Sequence, residues 1–117
     1  MKTSVAQALA LLPAAPTDQY PGGAPSVTVL AHGSMQLRLF APSLNRDGQD
    51  HQQPHTQDEL YLVHAGSGEI VIDGVRHAAV PGDAFFVAAG VLHQFENFTE
   101  GFVTWVVFYG PQAGESS

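Results

Sequence analysis

With 117 residues, 44% of them apolar, the chain suits one folded domain, is too short for two ordinary ones, and is far from a disordered composition. A formal net charge of −7, with only Lys2, Arg38, Arg46 and Arg76 as cations, argues against a phosphate-neutralising nucleic-acid surface and against docking on an anionic membrane. The absence of cysteine removes disulfides, thiolate metal sites and a cysteine nucleophile, and leaves six histidines as candidate metal ligands.

The first residues, MKTSVAQALALLPAA, superficially resemble a secretory leader, but Gln7 interrupts the apolar run and no small-x-small cleavage site follows. Val5, Ala8, Leu9 and Leu12 share one helical face, which predicts a short helix packed on the domain and ended by Pro13 and Pro16. Residues 1–25 are therefore read as an N-terminal helix and connector, and a cytoplasmic location is expected.

From residue 26 the pattern becomes extended. Ser26–Ala31 and Met35–Phe40 are β-rich runs around a His32-Gly33-Ser34 hairpin, and residues 42–57 form a polar loop. Leu60–Ala65 and Glu69–Ile72 are strands separated by Gly66-Ser67-Gly68, and Asp73-Gly74 predicts a tight turn into Val75–Val80. Ala84–Ala88, Val91–Asn97 and Phe102–Tyr109 complete the set, leaving residues 111–117 as a flexible tail. Strands at this spacing with turn chemistry between them predict an all-β sandwich or barrel spanning residues 26–110. The last run, FVTWVVFY, is nearly all apolar and must be covered on both faces, by the barrel and by the N-terminal helix or a second subunit.

Candidate chemistry lies at two distant places. The segment DHQQPHTQDE, residues 50–59, gathers His51, His55, Asp58 and Glu59 beside an apolar strand, and His93 lies where a later strand begins. A mononuclear centre needs donors converging from different strands, and imidazole with carboxylate suits Fe(II), Mn(II), Ni(II) or Zn(II) better than calcium. Phe95 and Asn97 share strand parity with His93, so both are candidates for a pocket wall as well as for ordinary packing. Of the alternating sets Met35, Leu37, Leu39 and Gln36, Arg38, Phe40, one must face inward; Arg38 inside would suit an anionic substrate, although the surface is the commoner place for an arginine. Tyr61, Trp105 and Tyr109 are read as packing residues, and His64 and His77 as surface residues.

The spacing resembles that of the cupin superfamily. His55, three residues, Glu59, six residues and Gly66 match the second half of the first cupin motif. Gly82, Gly90, His93 and Asn97 match the second motif, with Ala88 where proline is usual. The resemblance implies an antiparallel double-stranded β-helix, a jelly-roll barrel with the short helix added, and one divalent transition metal held by His55, Glu59 and His93. It places Gln53 where the motif has its first histidine, and the motif's opening glycine is displaced to Gly48. The fourth ligand is then Gln53 or, on the same extended face, His51; Gln53 is preferred because Pro54 fixes the approach to His55, and an incomplete site is the third outcome. Cupins include dioxygenases, isomerases and non-catalytic binding proteins, so the expected partner is a small molecule bound beside the metal. The resemblance also implies a homodimer.

Overall fold

The computed structural model describes residues 1–116. It contains one short helix, α1 (Val5–Leu9), and eight strands: β1 (Ser26–His32), β2 (Met35–Phe40), β3 (Asp58–Ala65), β4 (Gly68–Ile72), β5 (Val75–Ala79), β6 (Ala84–Val87), β7 (His93–Glu96) and β8 (Val103–Tyr109). A single 3-10 turn, Pro42–Leu44, opens the polar loop before β3. All pairings are antiparallel, in a five-stranded sheet of order β1-β2-β8-β3-β6 and a three-stranded sheet of order β5-β4-β7. This is the two-sheet jelly-roll barrel expected of the sequence. Among the described residues no helix is long and apolar enough to cross a membrane.

Tight turns set the register. Asp73 and Gly74 both take positive φ (49° and 80°), the pairing a two-residue turn requires to follow the right-handed twist of its strands. Gly66 has a stricter reason to be glycine: its φ is +75°, and a Cβ there would lie 2.6 Å from the Cα of Phe102. Gly66→Ala combines a left-handed non-glycine residue with overpacking against backbone, and is expected to destabilise by about 2–5 kcal/mol. Thermal or urea unfolding checks this. Val63 and Phe102 on either side are buried, so the chain cannot easily retreat.

The core lies between the sheets. Phe40, Tyr61, Val63 and Val106 face it from the large sheet, Ile70 and Phe95 from the small one, and Phe102 closes one end. A second cluster lies on the outer face of the large sheet, where Ala8, Val5 and Leu12 cover Leu39, Val103 and Trp105. The first half of the apolar last strand is thus covered on both faces, with the N-terminal segment clustered with Val103 and Trp105 on the outer one. Ser4 caps that helix by accepting the Gln7 N–H. Leu9, expected on the packed face, is instead largely exposed because the helix ends there and Leu12 makes the contact.

The chain beyond β8, expected to be flexible, is tied back at residues 113–115. The Ala113 N–H donates to the Thr56 carbonyl at 2.7 Å, and the Glu115 N–H donates to the Asp58 carboxylate at 2.9 Å. Asp58 also accepts the Ala89 N–H, and these two backbone donors hold its carboxyl below the usual range.

Candidate metal centre

Three elements supply the site. Glu59 and Tyr61 alternate on β3 with outward Leu60 and Leu62, so strand parity alone sends both into the barrel, where each is about 1% exposed. His93 begins β7 on the opposite sheet, paired with Ile72, and is 2% exposed. His55 comes from the loop ahead of β3, its backbone carbonyl accepting the Gly90 N–H at 2.8 Å and its ring edge-on to Phe108 with centroids 4.7 Å apart. The loop of the second motif therefore anchors the histidine of the first.

His55, Glu59 and His93 each offer one donor atom, and the three atoms lie within 4.8 Å of one another. Donors around an ion bonded at about 2.1 Å stand roughly 3–4 Å apart, so small side-chain adjustments would close them on one ion. His93 Nδ1 donates to the Val91 carbonyl at 2.8 Å, which leaves Nε2 directed at Glu59 Oε1. That backbone bond selects the tautomer in which Nε2 can ligate. Glu59 Oε2 is buried and has no hydrogen-bond partner among the described residues, with His55 Nε2 3.8 Å away. A buried carboxylate between two imidazoles, with one oxygen orphaned, fits a cation and is otherwise a costly arrangement. Burial lowers the His55 pKa and so favours the neutral, ligating imidazole. Burial also opposes charge on His93, but the hydrogen bond and negative charge of Glu59 outweigh it and raise the pKa.

The side chain of Gln53, the expected fourth donor, is exposed on the cavity wall and makes no hydrogen bond to the three clustered residues among the described residues. His51 is turned away as well: its Nε2 pairs with Asp47 at 2.5 Å and its backbone carbonyl accepts the Gln19 amide. The carboxamide that reaches the centre is that of Gln52, whose Oε1 lies 2.7 Å from the Tyr61 hydroxyl and 3.2 Å from His93 Nε2. The cause is Asp50. Its Oδ1 accepts the Gln52 backbone N–H at 2.9 Å, a turn that breaks extended parity, while its Oδ2 accepts the Gln52 side-chain N–H and the Phe95 backbone N–H. With its NH2 committed to Asp50, Gln52 can present only its oxygen to the centre. Burial pushes the Asp50 carboxyl above its ordinary pKa, although these hydrogen bonds oppose the shift.

Tyr61, expected only to pack, belongs to this network. Its hydroxyl is 3.1 Å from both Glu59 Oε1 and His93 Nε2, and burial, with Glu59 and Asp50 nearby, lifts its pKa well above the ordinary phenol value. It therefore remains a neutral donor at physiological pH. The signal was present in the sequence, since Tyr61 lies two residues from Glu59 on a strand. Of the other candidates, Phe95 is core, edge-on to Tyr61 at 5.0 Å, and Asn97 is exposed and donates to Glu69. His64 and His77 are exposed as expected.

A cavity of about 410 Å³ lies beside the centre, reached through Gln52, His55 and Tyr61, which line it, whereas Glu59 and His93 do not. Gln36, Arg38 and Phe40 are the inward set of β2 and form part of its wall, so Arg38 is in the cavity rather than on the outer surface.

Known proteins agree with this architecture. An uncharacterized protein of Streptomyces coelicolor is 33% identical over 84 residues, covering 72% of this chain and 78% of that protein. Among solved structures, KdgF from Halomonas sp. superposes with a TM-score of 0.61 at 18% identity, over 74% of this chain and 80% of that one. A cupin superfamily protein from Desulfitobacterium hafniense gives 0.56 at 22% identity, over 74% and 76%. These two likenesses carry the fold. The family described as Cupin domain matches residues 44–109, which include both motifs and all three clustered residues. The chain belongs to the cupin family.

Proposed function

We propose that this protein is a metal-dependent cupin acting on a small organic molecule, with one divalent Fe, Mn, Ni or Zn ion held by His55, Glu59, His93 and the Gln52 carboxamide oxygen. The observation that carries the reading is the buried Glu59 carboxylate held between the His55 and His93 imidazoles, with its Oε2 unpartnered, beside a cavity that His55 lines. An ion there would polarise a substrate carbonyl or hydroxyl, or activate oxygen, which is the basis of isomerase- or dioxygenase-type chemistry. The protein's own part is to hold the donors, to keep a neutral Tyr61 hydroxyl against them, and to give the substrate a walled approach from one side.

Elemental analysis of protein purified without a histidine tag is expected to give one metal ion per chain. A substoichiometric content that does not respond to added Fe(II), Mn(II), Ni(II) or Zn(II) would overturn the reading. Gln52→Ala is expected to weaken metal binding by about 10–100-fold, the scale on which metal sites respond to loss of a supporting group, while Gln53→Ala leaves it nearly unchanged. The reverse order would restore Gln53 as the ligand. If metal is bound, oxygen uptake by the Fe(II) form with phenols and diketones tests the dioxygenase branch. Tight binding of a small molecule without turnover identifies a binding module.

The proposed macromolecular partner is a second copy of the chain. On the outer face of the large sheet Leu62 and Phe86 are 40% and 54% exposed beside Leu60, on strands β3 and β6 that α1 does not cover. Light scattering at micromolar concentration is expected to return a dimer mass, and Phe86→Glu a monomer.

A further inference from the structure

Arg38 is the one cation among the residues lining the cavity beside the metal centre, and no aspartate or glutamate lines it. Arg76, by contrast, is engaged by Glu69 at 3.2 Å and Glu96 at 2.8 Å on the small sheet. Arg38 has no carboxylate oxygen within 4.0 Å among the described residues; one of its terminal N–H groups donates to Ser26 Oγ at 2.8 Å. A guanidinium has five donors, so most of this fork is uncommitted. Partial burial opposes its charge, and it still stays protonated because its intrinsic pKa is so high. A half-buried cation with only a neutral tether lacks the compensation that an anion would supply.

The register of the large sheet sets the distance from this cation to the centre. Arg38 pairs with Val106 and Val106 with Tyr61, while Gln36 pairs with Phe108 and Phe108 with Glu59. The Arg38 and Tyr61 backbones are thus two strand spacings apart, roughly 10 Å, with Val106 and Phe108 forming an apolar floor between them. A small acid can span that gap, with its anionic end on β2 and a polar atom toward His55, Glu59 and His93. A single cation in a protein of net charge −7 suits a monoanion and disfavours a dianionic phosphate.

We propose that β2 supplies a carboxylate subsite, in which the Arg38 fork, steadied by Ser26 and flanked by Gln36, binds the carboxylate of a small organic acid. The subsite deepens the metal-dependent reading by naming the substrate class, and rests on it for what the other end of that acid meets. The Arg38 contact itself does not need the metal.

The test compares benzoate with benzamide, lactate with lactamide, and benzoate with phenyl phosphate, by calorimetry and by NMR of the Arg38 Nε–H, on metal-free and metal-loaded protein. The acids are expected to bind at least tenfold more tightly than their amides in both forms and to shift the Arg38 signal, with phenyl phosphate weaker than benzoate. Arg38→Met is expected to abolish the preference for acid over amide while metal content stays at the wild-type level. Arg38→Lys, which keeps the charge but not the fork, is expected to retain part of it and covers the case in which Arg38→Met does not fold. Acids binding no better than amides, or equal preference in wild type and Arg38→Lys, would overturn the subsite; phenyl phosphate binding more tightly than benzoate would overturn the monocarboxylate assignment. Failure of the protein to load metal, with Arg38-dependent acid binding intact in the metal-free form, would overturn the metal reading alone.

Discussion

His93→Ala is expected to abolish stable metal binding, reducing bound metal from one ion per chain to the background of elemental analysis. Loss of an outer partner of a ligand already costs about 10–100-fold in metal affinity, and His93 stands in the proposed inner set itself. Its Nε2 is directed at Glu59 by the Val91 carbonyl on the other ring nitrogen, so no neighbouring group can replace it without rebuilding the start of β7. The substitution also leaves Glu59 without its imidazole partner inside the barrel, and removing one member of a buried pair is costly in its own right. Glu59→Gln separates the two effects: it keeps the side-chain shape, removes the charge and should still lose the metal. Adding metal should raise the melting temperature of the wild-type protein and leave that of His93→Ala unchanged, because only a native-state binder stabilises by mass action. Since Glu59 raises the His93 pKa, a proton competes with the ion for Nε2, and affinity should increase as pH rises through that pKa. A wild-type melting temperature indifferent to every metal tested would count against the whole reading.

Phe95→Ala is expected to destabilise the fold by about 3–5 kcal/mol, a large share of the roughly 5–15 kcal/mol that holds a domain together. Phe95 is 1% exposed and meets Tyr61 and Phe102 with ring centroids 5.0 Å apart and Phe40 at 6.1 Å. It packs the small sheet on Phe40 of β2 and Tyr61 of β3 and on Phe102 just before β8, so its loss leaves a cavity that neither sheet can easily collapse to fill. Chemical denaturation should show a lower midpoint, and the same cavity should loosen Tyr61 beneath the centre. Phe95→Leu, which keeps most of the volume, should cost less and retain the metal. A midpoint unchanged by Phe95→Ala would mean that the two sheets do not pack as described.

Much of the architecture could be read from local pattern. The predicted Met35–Phe40 strand matches β2 in full, and the other seven overlap their strands with ends displaced by a few residues at most. Turn chemistry explains this, because Gly33-Ser34 and Asp73-Gly74 leave few ways to continue the chain. The inward placement of Glu59 and Tyr61 follows from the period of two, yet only Glu59 was assigned to the site. A tyrosine in an apolar run looks like packing until its hydroxyl is seen among three polar atoms.

The resemblance of the motif spacing to that of cupins pointed to His55, Glu59 and His93, and the structure brings the three into one cluster. Which glutamine approaches that cluster was not a local matter. The motif alignment pointed to Gln53, but a buried Asp50 hydrogen-bonded to β7 turns the loop by one residue and sends Gln52 inward. The side on which Arg38 emerges was equally undetermined. Both alternating sets of β2 are credible cores, and the choice falls to the helix from the far N-terminus that packs on Leu39. Local stereochemistry thus determined the strands, and the resemblance to the cupin motifs singled out the three clustered residues. Contacts between residues distant in the chain decided which glutamine meets the cluster and which charge enters the cavity, because those depend on which surface covers which.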